Sequence, residues 1–155
     1  MNFDNYTIKS QEAIQSAAQN ASQRGHQGIE VGHLLQALFN NEKSTFQFIF
    51  DDLNLNQNNI NEELEYLMGK YPKVQGGKPY ASNSLTSVFS SAEKLMKSMG
   101  DNYVAIEHLF SAIITNSGKE SDLLKSKGFK INELKKTIMK LRNGDQVNDA
   151  NGDSN

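Results

Sequence analysis

Two stretches of the chain repeat at a constant offset of 75 residues, and no other feature constrains the fold as much. Gly25-His26-Gln27-Gly28-Ile29-Glu30-Val31-Gly32-His33-Leu34-Leu35 returns as Gly100-Asp101-Asn102-Tyr103-Val104-Ala105-Ile106-Glu107-His108-Leu109-Phe110. Gly25 falls on Gly100, Ile29 on Val104, His33 on His108, Leu34 on Leu109 and Ala37 on Ala112. Self-similarity at a fixed period marks one structural unit used twice, and it decides the architecture before any local reading. Later in each copy the offset falls to 74, with Leu55 on Phe129, Ile60 on Leu134 and Leu64 on Ile138. One residue is lost from a loop, where loss is tolerated.

The unit is helical. Thr7 to Arg24 places Ile8, Ala13, Ile14, Ala17, Ala18 and Ala21 near the 3.6-residue period, with Thr7 as N-cap and Gly25 as the stop. Val31 to Phe39 carries Leu34, Leu35 and Leu38 on one face. Thr45 to Leu53 is apolar nearly all round, which predicts a largely buried helix. Asn56 to Met68 completes the first copy. Ser84 to Met99, Val104 to Thr115, Ser121 to Lys127 and Ile131 to Leu141 form the second. Between them, Tyr71 to Tyr80 holds both prolines and a Gly pair and reads as a loop. The expected fold class is all-α: eight helices in two pseudo-two-fold repeats, about 7–68 and about 83–142, joined by a loop over 69–82.

Composition narrows the function. There is no Cys, so disulfides and thiolate metal sites are excluded. Sixteen basic against 18 acidic residues is not the clustered basic excess of a nucleic-acid footprint. No apolar run approaches a membrane span, and the N-terminus lacks a secretory h-region. There is no Gly-x-x-x-x-Gly-Lys-Ser/Thr to cradle a nucleotide phosphate, so no enzyme activity and no bound cofactor is expected of this chain. His33 and His108 stand at matching places before a Leu, but His-Leu-Leu offers one ligand where a metal needs several, so no metal site is expected. Glu62, Glu63 and Glu65 read as the wet face of one helix, as do Lys135, Lys136 and Lys140. Residues 143–155 are mostly Asn, Asp and Gly with only Val147 and Ala150 apolar, which predicts a flexible linker.

Taken together, the repeat, Phe3-Asp4-Asn5-Tyr6-Thr7-Ile8-Lys9-Ser10-Gln11-Glu12-Ala13, Tyr71-Pro72-Lys73-Val74 and Leu141-Arg142-Asn143-Gly144-Asp145-Gln146-Val147 resemble the N-terminal domain of Clp-family AAA+ chaperones, on the disaggregase side of that family. The resemblance covers essentially the whole chain. It implies a domain over 1–142 and a linker over 143–155 toward an ATPase module. It also implies a module that captures exposed apolar segments of unfolded or aggregated proteins for an ATPase ring, a family hexamer that works with a partner chaperone system. ATP and Mg would belong to that ring. The isolated domain is expected to be monomeric and cytoplasmic. The rival implied by the same resemblance is adaptor docking, as in ClpA- or ClpC-like unfoldases.

Candidate client-binding residues follow from the same likeness. Thr7, Asp101 and Glu107 match polar positions linked to client handling, although all three types also serve as helix caps. Phe89, Leu95 and Leu109 are candidates for the wall or floor of a groove made by the fifth and sixth helices, with the first nearby; at helical spacing the same residues also suit a core. Ser91 and His108 stand where the family often carries Leu, which makes the expected groove more polar.

Overall fold

The chain folds as two copies of one four-helix unit that exchange their leading segments. In the computed structural model, residues 2–73 and 77–153 are described. Eight helices occur among them: α1 (Ile8–Gln23), α2 (Val31–Asn41), α3 (Lys43–Asp52), α4 (Ile60–Met68), α5 (Asn83–Ser98), α6 (Ile106–Thr115), α7 (Lys119–Ser126) and α8 (Ile131–Arg142). Two strands, β1 (Gly28–Ile29) and β2 (Tyr80–Ala81), also pair in parallel. The expected loop over 71–80 thus ends in a strand, and its Val74, Gln75 and Gly76 lie outside the described residues.

α1 and α5 sit 75 residues apart at both ends. Each is capped by a hydroxyl that accepts an amide of the first turn: Thr7 from Ser10, and Ser82 from Leu85. Gly25 and Gly100 both adopt φ +74°, a left-handed conformation that turns the chain out of these helices. α4 begins later than the expected Asn56, because Asn59 is left-handed at φ 67° and stops the helix from reaching back.

The exchange of segments could not be read from the repeat. Tyr80 N–H donates to Gln27 O and Ser82 N–H to Ile29 O, so the lead-in to α5 pairs with the first repeat. At the matching positions, Val104 N–H donates to Asn5 O and Thr7 N–H to Val104 O, so the lead-in to α1 pairs with the second. Each repeat's lead-in therefore pairs with the other repeat, one as the strand β2 and the other through a single parallel bridge between Tyr6 and Val104.

The core follows the predicted faces. Leu34, Leu35 and Leu38 of α2 and Leu109, Phe110 and Ile113 of α6 are buried. α3 is buried through Phe46, Ile49 and Phe50, but Phe48 is 39% exposed, so this helix is one-faced rather than enclosed all round. The tail departs from expectation. Residues 145–153 lie against the domain instead of leaving it as a free linker, with Val147 buried and Ala150 O accepting from Ile8 N–H at 2.8 Å. The deciding contacts are with residues more than 40 positions away in sequence, which composition does not register.

Candidate functional site

Two places gather the residues singled out in the sequence. The first is polar and lies where α1 and α6 begin. His108, in the first turn of α6, accepts the Ala105 N–H through Nδ1 at 2.8 Å. That leaves the proton on Nε2, which donates to Asp101 Oδ2 at 2.7 Å. The other Asp101 oxygen accepts from Val147 N–H at 3.0 Å. Arg142, the last residue of α8, donates through Nη1 to Asp101 at 2.8 Å and through Nε to Glu107 at 2.7 Å. Thr7 Oγ1, besides capping α1, donates to Asp153 at 2.7 Å. Thr7, Asp101, Glu107 and His108 are all buried.

The expected capping role fits Thr7 but not the two carboxylates. Asp101 and Glu107 are committed to Arg142, whose side chain is itself 7% exposed. Burial pushes the Asp101 carboxyl up, yet the Val147 amide and Arg142 outweigh it and hold the group below the usual carboxylate range. Burial also holds His108 below the ordinary imidazole range, against the pull of Glu107 and Asp101. A neutral, fully buried His108 is therefore a positioning group for Asp101, not the groove lining expected of it.

The first repeat answers this node with a different pair. His26 stands where Asp101 stands in the second. His33 Nδ1 accepts Glu30 N–H at 2.8 Å, and its Nε2 meets His26 Nδ1 at 2.8 Å. The geometry works only with both rings neutral. Burial first, then the neighbouring His26 and Arg24, lowers His33 to about 4. A histidine depressed in the folded state takes up its proton more readily when unfolded. Stability should therefore fall as pH drops from about 6.5 toward about 4. Urea unfolding of the natural chain and of His33→Gln across that window checks this; the variant should lose part of the slope, with the depressed His108 keeping the rest.

The second place is apolar. A cavity of about 180 Å³ opens between α1 and α5. Its walls are Ile14, Ala17 and Ala18 of α1, and Leu85 and Phe89 of α5. Phe3, Ile29, Leu34 and Ala81 complete it. Of the three apolar candidates, only Phe89 lies here. Leu109 is fully buried and packs in the core, and Leu95 is half-buried on α5 away from the cavity. The sixth helix contributes nothing to this wall. Phe3, Ala18 and Leu85 were not legible as lining. The only sequence signal was the run of small residues on α1, and such a run equally suits close helix packing.

Two interlocked four-helix repeats define a duplicated all-helical domain, and no described helix is long and apolar enough to cross a membrane. The profile of the Clp repeat (R) N-terminal domain matches residues 5–127, and the chain belongs to that family. Among characterised proteins it is similar to Chaperone protein ClpB of Bacteroides thetaiotaomicron, 36% identical over 155 residues, which are 100% of this chain and 18% of the relative. It is likewise similar to Chaperone protein ClpB of Porphyromonas gingivalis, 40% identical over 147 residues, 95% of this chain and 17% of the relative. The chain thus spans less than a fifth of the length of these relatives. Among solved structures, the Hsp104 N-terminal domain from Candida albicans superposes with TM-score 0.80 at 18% identity, over 97% of this chain and 99% of that one. The N-terminal domain of ClpV1 ATPase from E. coli superposes with TM-score 0.79 at 17% identity, over 94% and 89%. These two share the fold.

Proposed function

We propose that this chain is the client-capturing N-terminal module of a ClpB-like disaggregase, and that it takes exposed apolar segments into the cavity between α1 and α5. The observation that carries this reading is the cavity itself, whose walls are almost wholly apolar side chains. An apolar cavity of about 150 Å³ admits a benzene ring. One of about 180 Å³ therefore holds a single large aliphatic or aromatic side chain. One anchored side chain binds weakly and tolerates many sequences. Weak capture suits a client that must be handed on, and several copies around a ring would add avidity. The reading places ATP, Mg and the hydrolytic work in an attached ATPase ring in the cytoplasm, with unfolded or aggregated proteins as partners. No chemistry falls to this chain. Leu95, on the same helix but away from the cavity, has no part in this anchor. Thr7, Asp101 and Glu107 join the reading only if a client reaches the polar node.

An amide-shift titration with a permanently unfolded, apolar-rich protein tests this. Shifts are expected at Ile14, Ala18, Ala81, Leu85 and Phe89, saturating at micromolar or weaker affinity. Ala18→Phe places a ring at a half-buried wall position and should weaken binding about tenfold, the loss of one apolar anchor. An absence of shifts at high client concentration would end the client reading and leave adaptor docking. Shifts confined to Thr7 and Glu107 would move the site to the polar node.

A further inference from the structure

We propose that residues 145–153 are a releasable strap, latched by Asp153 across the N-terminal ends of α1 and α6. The segment is held at three points. Val147 is 1% exposed; its N–H donates to Asp101 and its carbonyl accepts from Asn102 N–H at 2.9 Å. Ala150 O accepts the first helical N–H of α1, that of Ile8. Asp153 Oδ2 accepts from Thr7 Oγ1 at 2.7 Å and from Ile106 N–H at 3.1 Å. The last bond matters because α6 begins after Ala105, which has no polar side chain to cap it. Asp153 supplies the missing cap from the far end of the chain.

The first repeat solves the same problem differently. There Tyr71, just past α4, accepts the Gly32 N–H of α2 with its hydroxyl and donates to Glu120. Both hydroxyl functions are used. In the second repeat the cap is a carboxylate that leaves a debt. Asp153 Oδ1 and Glu107 Oε1 are buried with no hydrogen-bond partner among the described residues, and both residues face a polar cavity of about 200 Å³ beneath the strap. Its lining carries three carboxylates, Glu107, Asp145 and Asp153, and one guanidinium, Arg142, which is shared with Asp101 and Glu107. Burial, and after it the Glu107 charge, push the Asp153 carboxyl above its ordinary range, although Thr7 and the Ile106 amide pull it back. Unpaired buried acceptors are costly, and release would hand them to water. The segment has one buried apolar anchor to oppose that release.

A docked strap covers Thr7, Asp101 and Glu107. Its release would bare the Ile8 and Ile106 amides and free residues 143–153 as a tether reaching roughly 36 Å. The proposal stands apart from client capture, and its test uses no client. Amide hydrogen exchange on the full chain reads it directly at Ile8, Asn102 and Ile106, whose N–H groups donate to the strap. These three are expected to exchange at least a hundredfold faster than core amides such as Leu35 and Phe110, yet at least tenfold slower than an unprotected chain. Asp153→Ala should speed the three at least tenfold and leave the core amides unchanged. Asp153→Asn keeps an acceptor, removes the repulsion from Glu107, and should slow the three several-fold. Equal acceleration of core and strap amides in Asp153→Ala would make the segment an integral part of one cooperative unit and overturn the proposal. Unprotected rates at all three in the natural chain would overturn it as well.

Discussion

Replacing Arg142 by methionine is expected to lower unfolding stability by about 3–5 kcal/mol, the range for removing one partner of a buried ion pair. The guanidinium is nearly enclosed and is shared between Asp101 and Glu107. Methionine fills part of the volume but leaves both carboxylates without their cation. At roughly 2–4 °C per kcal/mol for a chain of this size, the midpoint should fall by about 10 °C. Urea unfolding gives the loss. A double-mutant cycle with Glu107→Gln separates the pair from the rest, and a coupling of at least 1 kcal/mol is expected if the pair is desolvated. A loss below about 1 kcal/mol would mean that the node behaves as a surface ion pair. The pH dependence has a definite sign. Asp101 is depressed in the folded state, so its contribution is present above the unfolded pKa of about 3.9 and is lost as pH falls through the lower folded value. The Arg142 variant should lose part of that acid sensitivity.

Truncating Phe110 to alanine is expected to cost about as much, 3–5 kcal/mol, by a different mechanism. Its ring is fully buried and meets Phe46 at 4.9 Å, Phe129 at 5.2 Å and Phe39 at 6.1 Å between centroids. The contacts are edge-to-face, the arrangement aromatic quadrupoles favour. Phe39 belongs to α2 and Phe46 to α3, while Phe110 is on α6 and Phe129 follows α7. The cluster therefore fastens the first repeat to the second, and alanine would leave a cavity that rigid helices on both sides cannot close. Because each repeat's lead-in also pairs with the other repeat, the chain should unfold in one transition. Helical circular dichroism and a probe of aromatic packing should give coincident curves in both the natural chain and the variant. A first transition confined to one repeat would show that the repeats are separable.

The helices and their repeat were readable because periodicity is a local property. Leu34, Leu35 and Leu38 report a buried face whatever lies opposite, and Gly25 and Gly100 report a chain reversal at matching places. Helix starts were less secure, as at Asn59, where one left-handed residue shortened α4. The candidate site was legible only in part. Phe89 reached the apolar cavity, but Leu109 has the same helical spacing and went to the core, since spacing names a face and not its partner. Asp101 and Glu107 were recognisable as important acidic positions, but their partner Arg142 lies at least 35 residues further along.

By itself, then, the amino-acid sequence determined the helical class and most of the buried face, which depend on neighbours three or four positions apart, and the duplication and family, which depend on residue identities repeated or shared along the chain. Only the tertiary structure decided which repeat each lead-in segment pairs with, where the cavity opens, and that a segment as polar as residues 145–153 has a seat. Each of those is settled by hydrogen bonds and packing between residues far apart in the chain, whose energies exceed any preference of the short segments that make them.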